Sequence, residues 1–338
     1  MSSEIIYYDA LITNQVIVNG SNAPKINYND NRSAPLIKNT TGYEMSIIRF
    51  SLSSQTLPIF TPSVLSILEP NKTIYSITMS YNGISYQQYL TYSPQSAASV
   101  SDDNYYNIYN YQYVIYLANQ CLQDCLLGLD NLVVTPINIA PVISINLQTQ
   151  LMSIAFDTDY YGFNENDKIN VYFNYSMMSL FDTFPIYIMK TGSPNGSNYQ
   201  LDLRLVDVNG CLNQELVTLG SWSPVNSIVF TSNLLPVVSS QIGSFNNIID
   251  GVNNSGNSSN QYLNIITDFI GNDLTFTPFI QYSPYIYRFI SLKPNAEIKN
   301  IDIQVYWKSK HDGSIRPVYL SSGGSMSLKI MFRPIQNN

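Results

Sequence analysis

The sequence predicts a mainly β protein, a sandwich or barrel, with one amphipathic helix near 105–129. Three observations carry that expectation. Apolar and polar residues alternate over short segments, which is the period of a strand with one buried face. Asn, Gly, Ser and Pro punctuate these segments at intervals that suit antiparallel sheets. The aromatic content is dominated by 27 tyrosines, a residue favoured on half-buried pleated surfaces.

In chain order, the alternating segments are 44–52 (EMSIIRFSL), 73–80, 142–147, 151–156, 169–175, 201–206, 226–231 and 286–292. The two strongest close the chain. In 298–307, Ile301, Ile303, Val305 and Trp307 share one face; in 325–332, Met326, Leu328, Ile330 and Phe332 do. Between them His311-Asp312-Gly313-Ser314 reads as a turn. In 105–129, Val114, Leu117, Ala118, Cys121, Leu122, Cys125 and Leu129 recur at spacings of three and four, the stripe of a helix lying on a sheet. Gly128, followed by Asp130 and Asn131, supplies its stop. The turn-rich stretches 19–35, 190–199 and 251–261 read as loops. The division that follows is an N-terminal arm over 1–35, a β domain built from 36–100 plus 220–335, and an insertion or second lobe over 101–219.

At 338 residues and 45% apolar content, the chain can fill substantial cores. A net charge of -7 and a pI near 4.6 argue against direct nucleic-acid binding and against adhesion to anionic lipid. The sequence has no apolar run long enough to span a membrane and no secretory leader at its start, so synthesis in the cytoplasm is expected. Cys121, Cys125 and Cys211 are too few and odd in number for a disulfide framework and are expected to be reduced. Sequons at Asn39 and Asn257 are what an Asn/Ser-rich chain produces by chance.

The residues that carry chemistry are scarce. His311 is the one histidine and falls in a turn, and no G-x-S-x-G elbow offers it a nucleophile. Cys121 and Cys125 lie on the apolar stripe and read as small core residues, since a structural zinc site would need further ligands that only Cys211 and His311 could supply. Asp157-Thr-Asp159-Tyr-Tyr-Gly162 opens like a calcium loop but has Tyr161 at position five and Lys168 at position twelve. It reads as a solvated acidic hairpin loop, with Asp157, Asp159, Glu165 and Asp167 as the residues of an irregular cation site. A glycosidase needs two facing carboxylates, and Asp202, Asp302 and Glu297 are candidates for that role. They occupy the polar positions of alternating strands, where an outward, solvated side chain is expected. No phosphate loop or dinucleotide fingerprint occurs. No catalytic, cofactor-binding or metal-binding residue is assigned, and no cofactor is expected.

The tyrosine runs Tyr81, Tyr86, Tyr89, Tyr92 and Tyr105, Tyr106, Tyr109, Tyr111, Tyr113 are dense, and a subunit interface is the first reading of them. Core packing and a sugar platform are the others.

The segments 40–62 (TTGYEMSIIRFSLSSQTLPIFTP, preceded by Asn39), 77–94 and 105–129, with 221–236, 263–269 and 301–332, resemble the penton, or minor capsid, proteins of virophage and polinton-like small double-stranded DNA viruses of eukaryotes. The resemblance implies a single jelly roll with an additional lobe, no enzymatic activity, and a homopentamer at the five-fold vertices of an icosahedral capsid. It also implies the major capsid protein as neighbour, a host receptor as a further candidate partner, and the virion as location. No Arg-Gly-Asp triplet and no basic N-terminal arm accompany it, so neither integrin binding nor genome binding is implied. The start, Glu4 to Thr13, instead reads as an apolar arm able to add a strand to a neighbour. Two readings from other classes compete: a receptor-binding or lectin-like viral tail protein using the tyrosines as a glycan platform, and a carbohydrate-active enzyme.

Overall fold

The strongest alternating segments do form strands, one in each of two sheets that share a core. A computed structural model describes residues 4–14, 25–66, 68–95, 99–100, 104–238, 264–270 and 279–336. The chain divides into two units, Met1–Pro58 with Pro224–Asn338, and Ile59–Ser223. The sequence-based division drew the line at 100. The structure assigns 59–100 to the inserted unit, because Glu69–Tyr81 pairs with Ile84–Thr91 on one side and Asn170–Phe173 on the other. The unit also runs past 219: Trp222 is buried and its indole N–H donates to the Leu180 carbonyl at 2.7 Å.

The first unit holds two antiparallel sheets. One has the order Ile6–Thr13, Ser325–Pro334, Tyr43–Ser53, Phe279–Tyr282, with Ile290–Ser291 also on Tyr43–Ser53. The other has the order Ile265–Phe269, Val225–Thr231, Asn300–Ser309, Ile315–Pro317, with Asn27–Asn31 also on Asn300–Ser309. Met326, Leu328, Ile330 and Phe332, and Ile301, Ile303, Val305 and Trp307, are all buried in a single core. In Tyr43–Ser53 the buried set changes phase, Met45 and Ile47 and then Phe50 and Leu52. A bulge opposite Lys329 and Ile330 absorbs the extra residue. At the centre, the Phe50 ring lies 5.1 Å from Phe230, 5.0 Å from Phe269 and 5.5 Å from Tyr282.

Three expectations are corrected here. The segment 1–35 is not a free arm over its described part: Ile6–Thr13 pairs with Ser325–Phe332, and Asn27–Asn31 pairs with Asn300–Gln304. The second pairing forms despite poor strand propensity, because Tyr8 of the other sheet hydrogen-bonds Tyr28 at 2.5 Å and Asp30 at 2.6 Å. Residues 201–206 are not a strand; after Tyr199–Leu201 the chain enters a 3-10 turn capped by Asp202. Of 286–292 only Ile290–Ser291 pairs. The loop 251–261, with its Asn257 sequon, lies outside the described residues.

In the second unit a sheet runs Ile186–Ile188, Tyr199–Leu201, Asn170–Phe173, Glu69–Tyr81, Val64–Ser66, with Ile84–Thr91 also on Glu69–Tyr81. Asn82 and Gly83, both at positive φ, make the tight turn of that last hairpin. A three-stranded sheet runs Cys211–Asn213, Met152–Ala155, Val142–Ile145. The helix spans Tyr111–Asp130 and buries Val114, Leu117, Ala118, Cys121, Leu122, Cys125 and Leu129, as the spacing requires. It starts later than 105 because the Asn110 side chain caps it, accepting from the Gln112 N–H at 2.8 Å. Asn119 of the helix holds Ile143 by both backbone groups, at 2.9 and 2.7 Å.

Gly128 is not the helix stop. It sits inside the helix, which closes on Asn131, and a Cβ placed on it would lie 2.1 Å from Cε1 of Tyr86. The glycine is there for close approach. Gly128→Ala is therefore expected to destabilise the second unit by about 1–3 kcal/mol, overpacking outweighing the ~1 kcal/mol gained in helix propensity. In a Tyr86→Ala background the same change should become neutral or stabilising. A double-mutant cycle by urea denaturation checks this, and a stabilising single substitution would show that the ring gives way freely.

Candidate functional site

The residues weighed for chemistry are held by structural contacts. His311 is exposed in the turn between Asn300–Ser309 and Ile315–Pro317, where its backbone N–H donates to the Ser309 hydroxyl at 3.2 Å. Beside it Asp312 accepts from the Ser314 N–H at 2.9 Å and the Ser314 hydroxyl at 2.6 Å. Burial pushes the Asp312 carboxyl up, but these bonds, with Ser309 and Arg316, outweigh it and hold the carboxyl well below the usual range. The group fastens a turn.

Cys121 and Cys125 are buried. Their thiols point at carbonyls of the hairpin beneath the helix, Cys121 at Gln88 and Cys125 at Ile77 and Tyr86, each at 3.4 Å. Burial pushes the Cys125 thiol up to about 12 and raises Cys121 as well. They are inert protonated thiols, as a dry site demands. Cys211 lies on a different sheet, at 211–213.

In the acidic loop, Asp157 accepts from the Asp159 N–H at 3.2 Å. The Lys168 ammonium reaches Glu165 at 3.8 Å and the Thr158 carbonyl at 2.9 Å. The chain's own lysine thus supplies the cation of this loop. Among the described residues no group of three His, Cys, Asp or Glu side chains could hold a metal ion.

Asp202 and Asp302 are buried, not outward and solvated as alternation suggested; Glu297 is exposed. Asp302 accepts from the backbone N–H groups of Asn233 at 2.8 Å and Leu234 at 2.9 Å, and from the Ser232 hydroxyl. Asp202 takes a bidentate pair from Arg204, at 2.8 and 2.6 Å. That pairing, against the opposing effect of burial, lowers its carboxyl. Asp202 and Asp302 are each committed to the turn they organise.

The tyrosine runs pack largely within their own unit. Tyr92 and Tyr105 are buried, with ring centroids 5.5 Å apart, and Tyr106 lies 5.2 Å from Tyr92. Their hydroxyls go to the chain itself: Tyr92 to the Tyr105 carbonyl, Tyr105 to Asn71 at 2.8 Å, Tyr106 to the Pro70 carbonyl at 2.6 Å. Tyr113 donates to the Ser93 carbonyl at 2.7 Å. Tyr92 and Tyr105 are therefore core residues and cannot meet a subunit or a ligand. Exposed tyrosines of this unit include Tyr116, stacked 5.9 Å from Tyr113, Tyr175, and Tyr187, packed edge-on 5.8 Å from Phe163, which carries the Arg204 guanidinium 4.1 Å above its ring.

In the first unit exposed apolar side chains stand at both ends of one sheet. Ile6–Thr13 is its terminal strand, and among the described residues no strand pairs with its outer edge. Ile5, Tyr7 and Leu11 are exposed there. Asp9 between them is bracketed by Lys329 at 3.4 Å and Arg49 at 3.9 Å. At the opposite end stand Phe279–Tyr282 and the following segment, where Phe279, Tyr285 and Ile286 are exposed. Sequence reasoning marked the first end as an apolar arm and missed the second. Its signal was the cluster Tyr282, Tyr285, Ile286 and Tyr287, too irregular for any one period.

The family model described as Sputnik minor capsid protein V18/19 matches residues 6–334. Structural protein V19 of Sputnik virophage is 24% identical over 200 residues, 54% of this chain and 89% of that protein. Uncharacterized protein V18 of the same virophage is 28% identical over 138 residues, 36% of this chain and 81% of its own. A chain of the Sputnik virophage structure solved by cryo-EM superposes with a TM-score of 0.77 at 22% identity, covering 98% of each chain. The crystal structure of the mavirus penton protein superposes with a TM-score of 0.69 at 17% identity, covering 98% of this chain and 99% of that one. The mainly β, penton-like jelly-roll fold expected from the resemblance is the fold found.

Proposed function

The chain belongs to the Sputnik minor capsid protein V18/19 family, and from that premise we propose that five copies close a ring at each five-fold vertex of an icosahedral shell. The protein is a structural component of the virion capsid, not an enzyme. What remains to be proposed is its place in the shell. The observation that carries the vertex reading is the fold likeness to the mavirus penton protein, which covers 98% of this chain.

A closed ring of identical subunits needs a head-to-tail contact between two different surfaces, with a rotation that returns to its start. The first unit offers two such surfaces, at the opposite ends of one sheet. The major capsid protein is the neighbour proposed for the vertex. The exposed Tyr187 and Arg204 of the second unit are the side chains proposed to meet a host receptor, since aromatic and arginine residues anchor recognition surfaces.

Native mass spectrometry of the purified protein is expected to show a species of five chains. A chain that stays monomeric at high concentration, or that forms trimers, would remove the vertex assignment. Negative-stain images with the major capsid protein should then place the five-chain species at shell vertices.

A further inference from the structure

At one end of the first unit's sandwich the two sheets part, leaving a cleft of about 480 Å³. Ile47 and Tyr282 line it from one sheet, Thr267 and Phe269 from the other. Ile47, Thr267 and Phe269 are buried, so the cleft gives onto the core itself. Arg288 and Asp268, joined at 2.9 Å, stand on its rim with Tyr285 and Ile286. Its volume is that of an ordinary binding pocket, and apolar walls with a few polar groups are what such a pocket needs.

Two observations show that the cleft is built to be covered. The Thr267 hydroxyl is buried, yet it makes no hydrogen bond to the described residues. A buried hydroxyl left without a partner is costly, and an occupant that supplies one removes that cost. Tyr285 and Ile286 on the rim are 102% and 77% exposed, large apolar side chains that a monomer gains nothing by displaying.

The other end of the same sheet has the opposite character. Along Ile6–Thr13 runs a backbone edge that no described strand pairs with, and beside it Ile5, Tyr7 and Leu11 are exposed, Tyr7 and Leu11 on the outward face of the sheet. One end is a cleft and the other a row of apolar side chains. A self-complementary two-fold contact would join like to like, whereas a ring joins unlike ends.

We infer that the cleft between Tyr282 and Phe269 receives the Ile5–Leu11 edge of the next copy of this chain, with the Thr267 hydroxyl bonding that neighbour's backbone. This rests on the ring proposed above and names the surfaces that close it. Extended backbone laid against a pocketed edge combines main-chain hydrogen bonds with side-chain anchors, a recurrent mode of recognition.

The experiment uses the full chain and two single variants, Leu11→Asp and Tyr285→Asp, each at an exposed position, with circular dichroism confirming the fold. Each variant spoils one end and leaves the other intact. Each alone is expected to lose the ring, with association weakened at least about 30-fold, the effect of removing one interface hot spot. Mixed together they should form a dimer and nothing larger, because the intact cleft of one meets the intact edge of the other. Two outcomes overturn the inference and leave the ring standing: both variants still form five-chain rings, or both fall apart and their mixture stays monomeric. If the rings survive and only incorporation into shells fails, the cleft serves another capsid protein. A wild-type chain that never oligomerises overturns both the ring and the contact. Ile286→Ser, a milder change on the same rim, repeats the test should Tyr285→Asp fail to fold.

Discussion

Replacing Phe50 by alanine is expected to lower the stability of the first unit by about 3–5 kcal/mol, the usual cost of deleting a buried aromatic ring. Phe50 is 1% exposed, and its ring contacts Phe230 and Phe269 of one sheet and Tyr282 of its own. Those partners also pack on each other, Phe269 lying 5.6 Å from Phe230 and 4.7 Å from Tyr282. Removing the central ring leaves a cavity that the rigid sheets cannot close. Phe269 and Tyr282 also wall the cleft, so the variant should weaken self-association in addition to folding.

The two units need separate readouts, since unfolding of such a chain need not be a single transition. The sequence has two tryptophans, Trp307 buried in the first unit and Trp222 in the second. Fluorescence of a Trp222→Phe background thus reports the first unit alone. Urea titration of Phe50→Ala in that background checks the prediction, with Phe50→Leu expected to cost clearly less. A loss below about 1 kcal/mol for the alanine would mean that the box relaxes around the gap, against the close packing of protein interiors.

Much of this architecture was legible in residue order because period is a direct imprint of burial. Val114 to Leu129 could only be a helix on a surface, and Met326 to Phe332 only a strand with one inward face. What period does not carry is the identity of the partner. Asn27–Asn31 has the composition of a loop and becomes a strand because Asn300–Gln304 offers it an edge. The inserted unit begins at 59 rather than 101 because Glu69–Tyr81 finds its neighbours at 84–91 and 170–173, pairings across intervals that no local window spans. Tyr92 and Tyr105 misled for the same reason. Density along the chain near 105–113 is the same whether rings meet each other or a neighbour, and here Tyr92, Tyr105 and Tyr106 meet each other.

The carboxylates show a further limit. In Asn300–Ser309 the side chains of one face, Ile301 to Trp307, enter the core, and alternation then assigns Asp302 to solvent. In the structure the opposite face is covered at that point by the turn Ser232–Leu235. Asp302 is 4% exposed, and a buried charge persists only when its oxygens are bonded. The three donors it collects come from residues 232–234, some seventy positions earlier in the chain. The Ser232 hydroxyl, besides donating to Asp302, accepts from the Leu235 N–H at 2.9 Å, so the carboxylate fixes the whole turn.

Asp302→Ala should accordingly cost about 3–5 kcal/mol, because it removes at once the acceptor of a buried hydroxyl and of two part-buried backbone N–H groups. Asp302→Asn preserves shape and one acceptor but turns an amide donor toward a donor, and about half that cost is expected. Valine at the same position, which fits the strand but accepts nothing, should be no better than alanine. That ordering separates the explanation from a packing effect, under which valine would recover much of the loss. It is measured by the same tryptophan titration, Trp307 standing on the strand that carries Asp302. If alanine and valine both fall within about 1 kcal/mol of the wild type, the turn at Ser232–Leu235 finds water for its donors and the carboxylate does not organise it.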